Sequence, residues 1–115
     1  MRVSATSDSS ANQLLTALPF ADRERILPLL ERVELSLGDV VYEAGGRLEH
    51  AYFPTSAVVS MLYTMEDGAT AEMARCGNDG VVGVALFLGG DTTPNRAVVH
   101  VAGGALRMRA RALQA

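Results

Sequence analysis

Hydrophobic positions in the first third of the chain recur at the spacing of a helix face. The first such set consists of Leu14, Leu15 and Leu18. Ser10 or Asn12 precedes it as a cap, and Pro19 closes it, so we expect a short helix. A second helix-compatible pattern runs over residues 20–33, and we expect Pro28 to kink or split it because proline has no backbone N–H group.

Beyond Glu34 the pattern changes towards alternation of apolar and polar residues, with glycine or proline breaks between the segments. The predicted strands are 33–37, 40–43, 50–53, 58–65, 70–76, 96–102 and 105–109. Asp67 and Gly68 separate two alternating runs and predict a β-hairpin with a type I′ turn. Short strands with such breaks are typical of a β-roll, a barrel or a sandwich.

The composition indicates one soluble globular domain. The chain has 115 residues, of which 49% are hydrophobic and 20% charged, and we assign residues 10–115 to the domain and 1–9 to a disordered terminus. All ten basic residues are arginine, scattered among thirteen acids with a net charge of −3, so this segment has no basic face for nucleic acid. Without a signal peptide or a membrane-spanning run, the expected location is the cytoplasm, with no membrane partner.

Few residues have the spacing of a catalytic or metal site. Cys76 stands alone, so it is either a small core residue or, beside Arg75, a redox-sensitive thiol. His50 and His100 lie far apart, and no set of ligands has metal-binding spacing. A nucleophile elbow and a phosphate-binding Walker loop are both missing. The sequence therefore predicts a protein that is not an enzyme and holds no metal.

The glycine-rich segment 77–96 has the features of a small-anion cradle. Glycines allow backbone N–H groups to approach a phosphate, a short helix is expected to start near Gly83, and Arg96 offers a countercharge. No carboxylate lies between Asp79 and Asp91. The alternative is a β-roll corner in which Arg96 pairs with one of these two aspartates.

Three motifs resemble the effector domain of the Crp/Fnr family of bacterial transcription regulators, which share the cyclic-nucleotide-binding fold. They are residues 37–45, residues 52–60, and residues 82–87 followed by Arg96 and Ala97. The resemblance covers roughly residues 12–115. It implies a mainly β fold with flanking helices: a β-roll of the double-stranded β-helix type, two N-terminal helices and a truncated C-terminal helix. The iron–sulfur sensors of this family need several cysteines, which one chain with Cys76 alone does not supply.

In nucleotide-binding members, a Gly-Glu pair and an Arg-Ser or Arg-Thr pair form the phosphate-binding cassette. The glutamate accepts a hydrogen bond from the ribose and the arginine pairs with the cyclic phosphate. Here Arg96 matches the arginine, Ala97 replaces the hydroxyl residue, and Val84 or Gly83 occupies the place of the glutamate. The resemblance implies a ligand site at Gly83, Val84, Ala85, Arg96 and Ala97. With the glutamate missing, we expect weak or no binding of cyclic AMP, or a different small anion as ligand.

The resemblance also implies a regulatory role. We expect a sensory domain that reaches DNA only through a domain not present in this chain, and that is a monomer or a weak homodimer. Two alternatives remain: a free-standing β-roll that contacts a protein partner without a ligand, and an enzyme of the double-stranded β-helix class. The enzyme requires metal-ligating histidines and acids on facing strands, which the positions of His50 and His100 do not favour.

Overall fold

Two short helices form the N-terminal end of the computed structural model, which describes residues 11–90 and 92–111. They are α1, Gln13–Ala17, and α2, Phe20–Ile26. Asn12 is the N-cap of α1, and its Oδ1 accepts a hydrogen bond from the Leu15 N–H at 3.1 Å. Leu15 is fully buried, and the predicted apolar face packs against Phe53 and Leu106.

Proline ends the second helix earlier than the hydrophobic pattern predicts. A 3-10 helix, Leu27–Leu29, follows α2, with Pro28 in its first turn and Leu30 in extended conformation. The expected split at Pro28 is confirmed, but a helical pattern reaching Val33 is wrong, because Glu31–Leu35 is already a strand. The backbone N–H and C=O groups of that strand bond to a partner strand from the far end of the chain.

Within the described residues, seven antiparallel strands form two sheets, and they agree with the predicted segments to within two residues at each end. They are β1 Glu31–Leu35, β2 Val40–Tyr42, β3 His50–Pro54, β4 Val58–Thr64, β5 Thr70–Cys76, β6 Arg96–Val101 and β7 Gly103–Arg109. One sheet has the order β1-β7-β3 and the other the order β2-β6-β4-β5. The expected mainly β roll with flanking helices is confirmed.

The hairpin predicted at Asp67 and Gly68 joins β4 and β5, but its turn differs from the expected type. Gly68 has a φ of 87°, whereas no described residue other than glycine has a positive φ. The Gly68 N–H donates to Met65 O at 2.9 Å, and the Met65 N–H donates to Ala69 O at 2.7 Å. The turn is therefore a longer loop that needs one left-handed residue, not the type I′ turn, which needs two.

The interior is filled from both sheets. One cluster of buried side chains contains Val59, Cys76, Val82 and Ala97; a second contains Leu15, Phe53 and Leu106; a third contains Leu48, Ala51 and Leu86. Asn12 ties the helices to this body, since its Nδ2 donates to Pro54 O at 2.7 Å and to Gly80 O at 3.0 Å. The helices thus lie beside the segment that leads into the candidate site.

The chain turns helical again after β7, at Ala110 and Arg111. The rest of the predicted C-terminal helix, the predicted disordered residues 1–9 and Asp91 lie outside the described residues. Among the helices of the described part, none has the length and apolar character needed to cross a bilayer.

Candidate functional site

The candidate cassette is held against β3 by a short stretch of pairing. The Tyr52 N–H donates to Val82 O at 2.8 Å, and the Val82 N–H donates back to Tyr52 O at 2.7 Å. Gly83 follows with a φ of 93°. A Cβ at this position would lie 3.0 Å from the carbonyl oxygen of His50, so both the backbone conformation and the close approach require glycine.

A short helix does begin at Gly83, as the sequence predicts. It is a 3-10 helix, Val84–Leu88, capped by Gly83 and by Gly89, both in left-handed conformation. The Leu86 N–H donates to Gly83 O at 3.1 Å. The N–H groups of Val84 and Ala85 precede the first such bond and have no partner within the helix.

A cavity of about 220 Å³ lies under this helix. Its lining comprises Tyr42, Leu48, Met61, Met73, Ala74, Val81, Val82, Gly83, Val84, Ala85, Thr93 and Asn95. We call it the cassette cavity. None of these residues carries a formal charge at neutral pH, and the polar side chains among them are those of Tyr42, Thr93 and Asn95. The predicted residues Gly83, Val84 and Ala85 therefore do meet at one hollow.

Arg96 is the first residue of β6 and is not among the residues that line the cassette cavity. Its Nε lies 3.0 Å from Oε1 of Glu43, which follows β2, and both side chains are partly exposed. The Nε atom is buried and makes no hydrogen bond, so the contact is an ion pair without hydrogen-bond alignment. Among the described residues the partner of Arg96 is Glu43 and not Asp79, while the alternative partner Asp91 lies outside them.

Ala97, the neighbouring predicted site residue, is fully buried in the cluster with Val59, Cys76 and Val82. Strand alternation explains the separation from Arg96: Ala97 and Val99 face the interior, so Arg96 faces away from it. The structure thus brings Gly83, Val84 and Ala85 together at the cavity and places Arg96 and Ala97 on opposite faces of β6.

Asn95 and Tyr42 line the cavity and were not singled out from the sequence. The Tyr42 hydroxyl donates to Asn95 Oδ1 at 2.9 Å, which closes a polar contact between β2 and the segment before β6. The sequence did hold a signal for Asn95. Ala97 and Val99 alternate with less buried positions, and the same alternation carried two residues back predicts that residue 95 faces the interior. Burial, with a smaller contribution from Cys76, raises the pKa of Tyr42, so its hydroxyl remains a donor at neutral pH.

Cys76 is a core residue in this structure. It is 6% exposed, and its Sγ donates weakly to Gly77 O at 3.6 Å. Burial, aided by the charge of Asp79, raises the pKa of the thiol to about 11. The thiolate needed for redox chemistry is therefore scarce at neutral pH, which favours the packing role over the sensor.

The two histidines do not share a site. His50 lies on β3, and His100 is exposed on β6. Across residues 11–90 and 92–111, no three side chains of His, Cys, Asp or Glu converge as they would around a metal ion.

Solved structures with the same fold include bacterial regulators and kinase subunits. The N-terminal domain of a transcriptional regulator from Streptomyces coelicolor matches with a TM-score of 0.75 at 20% identity, covering 93% of this chain and 75% of that one. The sensor domain of the transcriptional regulator DNR from Pseudomonas aeruginosa matches with a TM-score of 0.74 at 15% identity, covering 96% and 76%.

A mutant regulatory subunit of a cAMP-independent protein kinase A from Trypanosoma brucei, bound to cAMP in its A site, matches with a TM-score of 0.78 at 18% identity. The match covers 92% of this chain but only 39% of that one, so the chain spans about two fifths of the kinase subunit. No curated protein sequence is significantly similar to the chain. The sequence profile of the cyclic nucleotide-binding domain matches residues 32–115, and the chain belongs to that family.

Proposed function

We propose that this chain is the sensory domain of a Crp/Fnr-like transcription regulator whose cassette no longer binds cyclic AMP tightly. The domain then either binds a different small molecule or binds no ligand. The observation that carries the proposal is the position of Arg96, whose guanidinium is engaged by Glu43 at 3.0 Å outside the cavity lining. The role is regulatory and not catalytic.

The uncharged lining of the cassette cavity supports weak nucleotide binding. A cyclic nucleotide carries a negative phosphate, and transferring a charge into an apolar site is costly unless a countercharge or several hydrogen bonds meet it. Here the donors nearest the hollow are the N–H groups of Val84 and Ala85, together with three uncharged polar side chains. Any remaining affinity for anions then depends on these N–H groups. Arg96 contributes to it only if its guanidinium leaves Glu43.

The side chain at position 84 removes the ribose contact as well. Val84 is 53% exposed at the start of the 3-10 helix and cannot accept a hydrogen bond. A hydrogen bond to a charged partner contributes roughly 1.5–3 kcal/mol, which corresponds to about ten- to a hundredfold in affinity.

The regulatory part of the proposal draws on the two regulators with the same fold, since this chain matches about three quarters of each of those domains. A domain of this kind biases two arrangements of an attached element, and a ligand shifts the balance only by its difference in affinity for them. DNA is contacted through another domain, and self-association is weak.

A second candidate function, a protein-interaction module without a ligand, is favoured by the β4–β5 hairpin. All residues of β5 except Cys76 are exposed, and Tyr63, Met65 and Met73 are each about half exposed. Exposed apolar side chains beside an unpaired strand edge are a common protein-binding surface.

Calorimetric titration of cyclic AMP and cyclic GMP tests the proposal. We expect little or no heat with the unchanged protein, and binding about tenfold tighter or better once Val84→Glu restores the carboxylate. Leu88→Glu is the matched control, because it adds the same charge to the same helix at a residue that is 80% exposed. Arg96→Ala in the Val84→Glu background should leave most of the gained affinity in place, because Arg96 is held by Glu43 outside the cavity lining.

Binding of either nucleotide by the unchanged protein with Kd below about 1 μM, lost in Arg96→Ala, would overturn the proposal, since Arg96 would then leave Glu43 and suffice without the glutamate. No heat in any variant, Val84→Glu included, would favour the interaction module.

A further inference from the structure

A second cleft, of about 580 Å³, opens where β3 begins and the antiparallel strand β7 ends. Its lining consists of Arg47, Leu48, Glu49, His50, Arg107, Arg109, Ala110 and Arg111. We call it the arginine cleft. Four of the chain's ten basic residues converge here, although the chain as a whole has a net charge of −3.

Strand register fixes the positions of the central side chains. On β7, Arg107 and Arg109 share one face, while Leu106 and Met108 are buried on the other. Arg109 lies directly across from His50 of the neighbouring strand β3. Directly opposed residues have Cβ atoms about 5 Å apart, so this arginine and this histidine approach each other on a rigid sheet and not on a loop.

The charges in the cleft are only partly balanced. Arg107 is committed to Glu31, with Nε donating to Oε1 at 2.6 Å. Arg109 and Arg111 form no ion pair with any residue of 11–90 or 92–111, and both are exposed. The single carboxylate in the lining is that of Glu49. The cleft therefore carries an excess of positive charge that a bound anion would neutralise.

The positive charge of the cleft affects the pKa of His50. Burial lowers its pKa, Arg107 and Arg109 lower it further, and Glu49 and Glu31 oppose them. The imidazole is accordingly neutral at pH 7 and offers one N–H donor. An anion bound between the arginines would favour the charged imidazolium and raise this pKa.

We propose that the arginine cleft binds a small anion bearing two or more phosphate charges, of the pyrophosphate class. Guanidinium groups offer paired N–H donors that match phosphate oxygens, and Arg109 and Arg111 supply two such forks beside the imidazole of His50. A volume of 580 Å³ lies within the usual range of about 300–1,000 Å³ for small-molecule sites. This site is independent of the cassette cavity and of the proposed function there.

Titration of pyrophosphate into the protein, at about 50 mM salt to limit screening, tests the site. We expect saturable binding that weakens at least about tenfold in the double variant Arg109→Gln/Arg111→Gln. The matched control is Arg23→Gln/Arg25→Gln, which removes the same charge from α2 and should change the affinity less than about twofold.

Proton NMR of the two histidines supplies a second readout. The pKa of His50 should rise when pyrophosphate is added, while the ring-proton signals of the exposed His100 should not respond to it. Equal weakening in both double variants, equal shifts of both histidines, or no saturable binding would overturn the proposal. So would binding of oligonucleotides without binding of pyrophosphate, which would mark the cleft as a nucleic-acid surface.

Discussion

Oε1 of Glu43 lies 3.0 Å from Nε of Arg96 and joins the end of β2 to the start of β6. The carboxylate pairs with the positive charge of the Arg96 guanidinium, which an anionic ligand of this family is expected to use. Because Ala97 beside it is packed in the core, the outward direction of Arg96 follows from the strand alternation. The alternation of β6 therefore places Arg96 on the outer face of the sheet, where it meets Glu43.

Replacing Arg96 with alanine should leave the unliganded protein almost as stable as before. The side chains of Arg96 and Glu43 are 40% and 63% exposed, and exposed pairs contribute about 0–1 kcal/mol. The buried Nε without a hydrogen bond adds to this expectation, because its removal breaks none. We expect the free energy of unfolding in urea to fall by less than about 1 kcal/mol.

Glu43→Ala serves as the matched control and should have an effect of the same size, with coupling between the two changes below about 1 kcal/mol. A loss of more than about 2 kcal/mol in Arg96→Ala alone would instead show that Arg96 supports the fold.

Alanine at Gly83 should destabilise the protein more than alanine at Gly89. Both glycines have left-handed backbones, with φ of 93° and 88°. At Gly89 an added Cβ meets nothing within 4 Å, so only backbone strain of about 1–2 kcal/mol is expected. At Gly83 the Cβ would lie 3.0 Å from His50 O, so β3 and the cassette must also separate.

Urea denaturation of the two variants measures the difference, which we expect to be at least about 1 kcal/mol. Equal losses would mean that the cassette shifts freely away from β3.

The local sequence pattern predicts the strands of this fold, because their segments show an alternation of apolar and polar residues with glycine or proline breaks between them. It misplaces the start of β1 for a non-local reason: residues 31 and 32 look helical by sequence, yet they pair with Arg107 and Leu106 some 75 residues later. Tertiary hydrogen bonding overrides the local preference there. The turn at Gly68 was mistyped because Asp67 tolerates a positive φ without adopting one.

The candidate site was predictable in its backbone and less so in its side chains. Gly83 is recognisable because only glycine suits its conformation, and the helix beginning there was expected. The partner of Arg96 was not predictable, because Glu43 follows β2, which pairs with β6 across a register shift. The contact between Tyr42 and Asn95 depends on that same register.

Substitution of Asn12 should destabilise the fold more than substitution of most other polar residues. It is fully buried, and its side chain makes three hydrogen bonds, to Leu15 N, Pro54 O and Gly80 O. Asn12→Ala removes the cap of α1 and leaves two carbonyl groups without a donor, so we expect a loss of about 2–4 kcal/mol in the free energy of unfolding.

The control is Asn78→Ala, whose exposed side chain is removed while its backbone oxygen still accepts from Gln13 N. Its stability should change by less than about 0.5 kcal/mol. Asn12→Asp keeps the acceptor for Leu15 N but buries a carboxylate against the carbonyl oxygens of Pro54 and Gly80, so it should be at least as destabilising as Asn12→Ala. Similar stability of Asn12→Ala and Asn78→Ala in thermal or urea unfolding would contradict the assigned role.

Cys76 should make the protein less stable at alkaline pH. Burial, aided by Asp79, raises its pKa from an ordinary value of 9.0 to about 11. Between these values the unfolded chain has lost the thiol proton and the folded chain retains it, so stability falls as pH rises through this window and is unaffected below it. Two pKa units correspond to at most about 3 kcal/mol.

Urea unfolding between pH 8 and about 11 should therefore show a steeper decline for the unchanged protein than for Cys76→Ala, in which only the other groups titrate. Alkylation of the thiol at pH 8 should be about a hundredfold slower in the folded protein than in urea, because the raised pKa depletes the thiolate and burial of Sγ blocks access. Equal pH slopes in the two proteins, together with rapid labelling of the folded one, would show that Cys76 is an accessible thiol of ordinary pKa, and would return it to the candidates for redox sensing.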